Sequence, residues 1–390
     1  MIQDPGANPM LEKLGLLGQT GPDTLMGKLL RRFWHPVALS AQVERLKAAP
    51  IRILGEQLTL YRGESGAVHL VGGRCAHRLT LLHTGWVAGD EIRCIYHGWQ
   101  YDGTGRCTLR PAEADADQSL HRIAGYPLHE YGGLVFAYLG ELPVPEFDLP
   151  RKDAFERPGG LTFARSEIWP CNWFQHIENS LDATHVSFVH QAGKVGTFGE
   201  AVSGAIPKLD YIETDAGIRQ TATRSQNNVR VSDWTFPNNN HIVQPTLAKN
   251  DPWIDIGHWV VPVDDDHTAR FVLYAVPPAS REVHARLTRY FEECGDYNPA
   301  DHHDELFSQG KYPEDVFIQL TSAQDYVAVM GQGTLVERSQ ERLGKSDAGI
   351  ALLRRLFWRE MEKVREGQPT KQWKRLTTSA ELPRQTTEAV

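Results

Sequence analysis

The chain has 390 residues, 41% hydrophobic and 23% charged, with a net charge of −8. This is ordinary globular composition, and the length exceeds what one core usually serves, so two domains are expected. No basic stretch dominates, no apolar run reaches about 18 residues, and no basic-then-apolar leader opens the chain, so neither a nucleic-acid partner, a membrane span nor a signal peptide is expected. Residues 1–36 read as a lead-in. Asp23-Thr24 is placed to cap a short helix with Leu25, Leu29 and Phe33 on one face, ended by Pro36. Across 37–150 short apolar runs at 51–54, 58–61, 68–71, 92–96 and 133–139 alternate with glycine turns, the pattern of a small all-β domain. Asp102-Gly103 and Gly105 fit a tight hairpin, and Pro143, Pro145 and Pro150 mark a boundary.

The remainder, 151–390, mixes helix and strand. The spacing of apolar residues predicts a helix over 174–188 and further helices at 286–294, 321–330 and 348–367. Strands are predicted at 218–231, 258–262 and 269–276, with the Asp264–Asp266 run as a turn. The five cysteines, Cys75, Cys94, Cys107, Cys171 and Cys294, are too sparse for a disulfide framework and point to a reducing cytoplasm.

Two constellations carry chemistry. The first is Cys75-Ala76-His77 followed by Cys94-Ile95-Tyr96-His97, each half supplying one thiolate and one imidazole. A Rieske [2Fe–2S] centre needs two cysteines on one iron and two histidines on the other. A structural zinc site is the alternative, although zinc fingers usually pair both cysteines in one knuckle. Cys107, Cys171 and Cys294 are left as small buried hydrophobes.

The second is CNWFQHIENSLDATHVSFVH, running from Cys171 to His190. Asp182 and His185 share a helix face, whereas His190 lies about 140° further round, so the helix must end or loosen before it. Two imidazoles and a carboxylate from elsewhere form the facial triad that holds Fe(II) and leaves sites open for O2. Short histidine motifs often prove to be core residues instead. A one-electron donor upstream, however, implies an acceptor.

Together, CAHR…CIYHGW and the Cys171–His190 stretch resemble the Rieske non-haem iron aromatic ring-hydroxylating oxygenases, specifically the alpha (catalytic) subunits of the phthalate-dioxygenase-like branch. The likeness runs from about residue 25 to about residue 350. It implies an α+β architecture, with an all-β Rieske domain joined to a helix-grip (START-like) catalytic domain that has an antiparallel sheet. It implies Cys75, His77, Cys94 and His97 as cluster ligands, and His185 and His190 as ligands of a mononuclear Fe(II). The third ligand falls to Asp325 in SAQDYVAVMGQG, ahead of Asp304, Asp315 and Glu337, whose surroundings do not match. Asp182 matches a bridging aspartate, which here would link His185 to His97 of a neighbouring subunit. The resemblance also implies a homotrimer without a beta subunit and a separate NAD(P)H-dependent flavin and iron–sulfur reductase.

The implied reaction uses O2 and electrons to hydroxylate, or oxidatively O-demethylate, a small aromatic and carboxylated substrate. A pure electron carrier needs only about the first 150 residues, and the His185/His190/Asp325 set weighs against it. A zinc-stabilised binding module is the third reading. For substrate contacts, Arg219, Arg224 and Arg230 are candidates to meet a carboxylate. Trp234, Phe236, His241 and Trp259 are candidates for an apolar slot, against a core role for strand aromatics. Asn172, Gln175, Glu178 and Asn179 either line or buttress the site.

Overall fold

The computed structural model describes residues 9–113, 117, 121–149, 152–190, 206–226, 228–248, 250–315 and 317–372. Chain contacts divide it into two units, Leu30–Phe147 and the combination of Met1–Leu29 with Asp148–Val390.

The unit Leu30–Phe147 is built from strands β1 (Trp34–Leu39), β2 (Ala48–Ile53), β3 (Glu56–Arg62), β4 (Val68–Gly72), β5 (Trp86–Ala88), β6 (Glu91–Arg93), β7 (Gln100–Tyr101), β8 (Cys107–Leu109), β9 (Gly125–Tyr126), β10 (Leu128–Tyr131) and β11 (Leu134–Tyr138). They pair antiparallel in three small sheets, ordered β1-β11-β10, β2-β3-β4-β9 and β5-β6-β7-β8. Pro36 does not end a helix as expected. It lies within β1, where the register on β11 slips between Pro36 and Ala38, a bulge that accommodates the missing N–H. The strand expected over 92–96 stops at Arg93, because the next residues turn back on themselves. The hairpin at Asp102 is as expected, with Gly105 at φ +78°.

The other unit holds a seven-stranded antiparallel sheet in the order β12-β18-β17-β16-β15-β14-β13. Its strands are β12 (Leu161–Trp169), β13 (Lys208–Glu213), β14 (Gly217–Ser225), β15 (Asn228–Thr235), β16 (Asn239–Gln244), β17 (Ile254–Pro262) and β18 (Thr268–Val276). The single strand expected over 218–231 is in fact the hairpin β14–β15, reversing between Ser225 and Asn228. The Ser-Gln-Asn-Asn run is the turn signal that the flanking β-branched residues obscured. The aspartate run lies in the turn between β17 and β18, as expected, where Asp264 accepts from the Asp266 N–H at 2.9 Å.

The helices are α1 (Pro9–Leu16), α2 (Leu25–Leu30), α3 (Lys152–Phe155), α4 (Trp173–Leu181), α5 (Val186–Val189), α6 (Arg281–Cys294), α7 (His303–Gln309), α8 (Gln319–Met330) and α9 (Ala348–Arg365). Thr24 caps α2 by accepting from the Gly27 N–H at 3.0 Å. Helix α4 crosses β17 and β18 and meets both α8 and α9. It is pinned by an aromatic cluster in which Trp173, Phe174, Trp234 and Phe236 pack around Phe357 of α9. Helix α6 buries Leu287, Phe291 and Cys294 against the far ends of β17 and β18. The strands and helices thus form an α+β chain with a purely antiparallel larger sheet. Among the described residues no helix is long and apolar enough to cross a membrane.

Candidate metal centres and the cavity beside them

The two Cys-His segments fold into matching loops. In one, the Cys75 N–H donates to the Thr80 carbonyl and the Leu79 N–H to the Cys75 carbonyl. In the other, the Cys94 N–H donates to the Trp99 carbonyl and the Gly98 N–H to the Cys94 carbonyl. Each loop turns on a left-handed residue four places after its cysteine, Leu79 at φ +60° and Gly98 at φ +73°. Glycine takes that conformation freely, whereas leucine is strained by about 1–2 kcal/mol, a cost tolerated at functional loops. The result sorts the ligands by depth. Cys75 and Cys94 are buried in a core with Tyr101 and Trp99. His77 and His97 are exposed with ring centroids 4.6 Å apart.

This donor set fits a two-iron cluster with its thiolates inward and its imidazoles outward. The Tyr101 hydroxyl lies 3.2 Å from the Cys75 sulfur. Burial pushes the Cys94 thiol up, and the neighbouring Cys75 adds to it. A metal cation on both sulfurs reverses that penalty.

The second centre begins where α4 stops. Asn172 caps the helix by accepting from the Phe174 N–H at 3.0 Å. The expected helix over 174–188 breaks at Asp182, whose Oδ1 accepts from the Thr184 N–H at 2.7 Å. This Asx turn reorients the chain before the short helix α5. His185 and His190 then flank α5, and Asp325 arrives from α8. The Asp325 Oδ1 lies 3.4 Å from Nε2 of His185 and 3.4 Å from Nε2 of His190. All three ligand atoms fall within 4.8 Å of one another.

That Oδ1 is buried without a well-formed hydrogen bond. Burial pushes the Asp325 carboxyl up, but His190 and His185 outweigh it and hold the group well below the usual carboxylate range. Burial lowers both imidazoles. In His190 it prevails, while in His185 the Asp325 carboxylate reverses it. An anionic carboxylate aimed at two imidazole nitrogens is a donor set that fits a divalent metal. Metal–ligand bonds near 2.1 Å put neighbouring donors about 3 Å apart, close to what is seen. The late acids set aside on sequence lie elsewhere. Asp315, for instance, accepts from the Ile318 and Gln319 N–H groups at 3.1 and 2.9 Å to start α8.

Of the residues that support the site, Gln324 carries no signal in the sequence. The His190 Nδ1 lies 3.0 Å from the Gln324 Oε1, which keeps the proton on Nδ1 and the Nε2 lone pair toward Asp325. Asp182 Oδ2 is 3.8 Å from the His185 Nδ1, beyond hydrogen-bonding reach. Asn172, Gln175 and Glu178 are buttresses. Asn172 donates to the Gly18 and Asp265 carbonyls, Gln175 to Gly333, and Glu178 binds Arg338 and Arg354. Asn179 instead lines the cavity.

That cavity, of about 150 Å³, lies between α4, α5, α8 and one face of the large sheet, and His185, His190 and Asp325 form part of its wall. Alternation along the strands places Arg224, Arg230, Asn240, His258 and Arg270 on this face. Of the three candidate arginines, Arg219 is excluded, because it makes a 2.7 Å ion pair with Asp233 on β15. Arg224 and Arg230 have no carboxylate partner among the described residues. Arg230 donates to the Val243 carbonyl at 3.0 Å, and the Arg224 Nε is buried without a hydrogen bond. Burial, then Arg224, push Arg230 down to about 10. The expected apolar slot is not there. Trp234 and Phe236 belong to the cluster around Phe357, while His241 pairs with Asp255 at 3.0 Å and Trp259 is fully buried.

The chain matches known proteins along most of its length. Residues 33–128 match the family model for the Rieske [2Fe-2S] domain. The 5,5'-dehydrodivanillate O-demethylase oxygenase subunit of a Sphingobium strain is 34% identical, covering 91% of this chain and 81% of that protein. The phthalate 4,5-dioxygenase oxygenase subunit of Pseudomonas putida is 29% identical, covering 88% and 84%. In fold, the chain is similar to the oxygenase of carbazole 1,9a-dioxygenase, solved in complex with its ferredoxin. The TM-score is 0.64 at 18% identity, over 89% of this chain and 93% of that one.

Proposed function

The chain belongs to the Rieske non-haem iron oxygenases as an oxygenase subunit, and on that premise we propose that it oxidises a small aromatic acid held between Arg224, Arg230 and the iron site. It is an enzyme whose cofactors are a Rieske [2Fe–2S] cluster and a mononuclear iron. The observation that carries the substrate reading is the shared cavity, which joins His185, His190 and Asp325 to two half-buried arginines that have no carboxylate partner among the described residues. Leaving such cations unpaired is costly, and a substrate carboxylate resolves it through charge-assisted hydrogen bonds. A cavity of about 150 Å³ takes one benzene ring.

In this reading Cys75, His77, Cys94 and His97 hold the cluster, and His185, His190 and Asp325 hold the iron. The metals, when bound, supply electron relay and O2 activation. The chain's own residues do the positioning. Arg224 and Arg230 anchor the acid, Gln324 fixes the tautomer of His190, and the sheet and helices screen the ring from water. Asp182, 3.8 Å from the His185 Nδ1 in the single chain, closes on it when a neighbouring copy of the homotrimer brings its own His97 to the same carboxylate. Electrons come from a separate NAD(P)H-dependent flavin and iron–sulfur reductase. Cys107, Cys171 and Cys294, buried and unbridged, support a reducing cytoplasm as the setting.

The test is a screen of benzoates, phthalates and methoxy-aromatic acids with a flavin and iron–sulfur reductase, following NADH and O2 consumption and product mass. Consumption coupled to an oxidised or demethylated acid is expected. Turnover restricted to uncharged compounds would remove the acid reading.

A further inference from the structure

His258, at the centre of β17, has no part in the metal sets, yet it forms part of the cavity wall beside them. Its Nε2 lies 3.0 Å from the Nε of Arg270 on β18. Guanidinium nitrogens only donate, so the Nε2 of His258 is the acceptor and the ring proton sits on Nδ1. The arrangement is rigid. Arg270 is held by Glu167, at 3.2 Å to each carboxylate oxygen, and Glu167 in turn accepts from Ser322 at 2.6 Å and Trp169 at 3.1 Å. Burial, then Arg270 and His176, push the His258 imidazole far down, while Asp325 opposes them weakly, so the ring is neutral near pH 7. The Nδ1–H has no partner among the described residues, and the residue as a whole is only 9% exposed.

We propose that His258 is a neutral hydrogen-bond donor that selects an uncharged oxygen substituent on the substrate ring, such as a methoxy or hydroxyl group. This deepens the aromatic-acid reading above and rests on it. The two recognition elements stand apart on the sheet. Arg224 and Arg230 lie on β14 and β15 and His258 on β17, a separation of two or three strands, or roughly 10–14 Å between backbones. A substrate filling that span is anionic at one end and accepts a hydrogen bond at the other. A bound ring that lacks the oxygen cuts this cavity-wall donor off from water and leaves it unmet, so selectivity follows from the pocket as well as from the bond.

The experiment is anaerobic equilibrium dialysis on the metal-loaded protein with 3- and 4-methoxybenzoate and their near-isosteres 3- and 4-ethylbenzoate. In the wild type at least one methoxy acid is expected to bind about three- to tenfold tighter than its ethyl counterpart. In His258→Phe that ratio falls to about one, with ethylbenzoate binding kept. His258→Met answers the same question if the Phe variant does not fold, and His258→Asn, which retains an N–H, restores part of the ratio. An unchanged ratio in the Phe or Met variant overturns the role of His258 alone. Wild-type protein that binds none of the four acids overturns the aromatic-acid reading, and this inference with it.

Discussion

Asp325 is the residue on which the proposed iron site turns. Among the described residues its carboxylate is the one anion in contact with both imidazoles, and it is held ionised against its burial by them. In Asp325→Ala, iron is expected to fall from about three to about two atoms per chain while the Rieske cluster's EPR signal is kept. Loss of both centres together would show that Asp325 serves folding instead. Gln324→Leu should act more mildly, weakening iron affinity by about 10- to 100-fold, because it releases the His190 tautomer without removing a ligand. Metal titration of apoprotein separates the two variants.

At the scale of elements, α4 and the turn that ends it orient the site. Asn172 caps α4 and also ties it to Gly18 and Asp265. Asn172→Ala is expected to cost about 1–2 kcal/mol in denaturant unfolding, more than an exposed cap because two further buried acceptors lose their donor. A change near zero would show that the tether carries no stability. The same elements show what the sequence could convey. The Cys-His spacing and the two histidines stand out in the sequence because ligand chemistry fixes residue type and order, whereas Asp325 enters only through the family resemblance, since nothing local marks it off from the other late acids. The break at Asp182 was only half legible, since the angle to His190 demanded an end to the helix but not its place. The β14–β15 hairpin was missed, because polar and β-branched residues continue on both sides of its turn. Gln324, His258 and Arg270 were not legible, since their roles depend on which strands become neighbours, and that is set by tertiary pairing.

For the whole molecule, acidity and assembly are the two levers. His35 is fully buried, with Nε2 2.7 Å from the Leu30 carbonyl, and burial pulls its pKa from 6.5 to about 4. Between those values the unfolded chain binds a proton that the folded chain refuses. Stability is therefore full above about pH 6.5 and lost as pH falls toward 4, by up to roughly 3 kcal/mol from this group. His35→Gln should flatten the decline in Tm between pH 7 and pH 5, and an unaltered slope would assign the acid sensitivity elsewhere. Assembly bears on Asp182, whose carboxylate is 29% exposed beside His185. Asp182→Asn is expected to keep both metal centres by iron and sulfide analysis yet lose most product formation. Undiminished turnover would rule out the bridging role.

The central claim, that the protein couples its Rieske cluster to an iron held by His185, His190 and Asp325 in order to oxidise an aromatic acid, comes down to a single turnover. Metal-loaded protein is reduced, freed of reductant, and mixed with O2 and a turned-over acid in the absence of any reductase. The account predicts that the cluster's reoxidation, followed by its absorbance, accompanies formation of up to about one product per iron site, and that Asp325→Ala forms none. Reoxidation without product in the wild type, or product formation that survives Asp325→Ala, would contradict it.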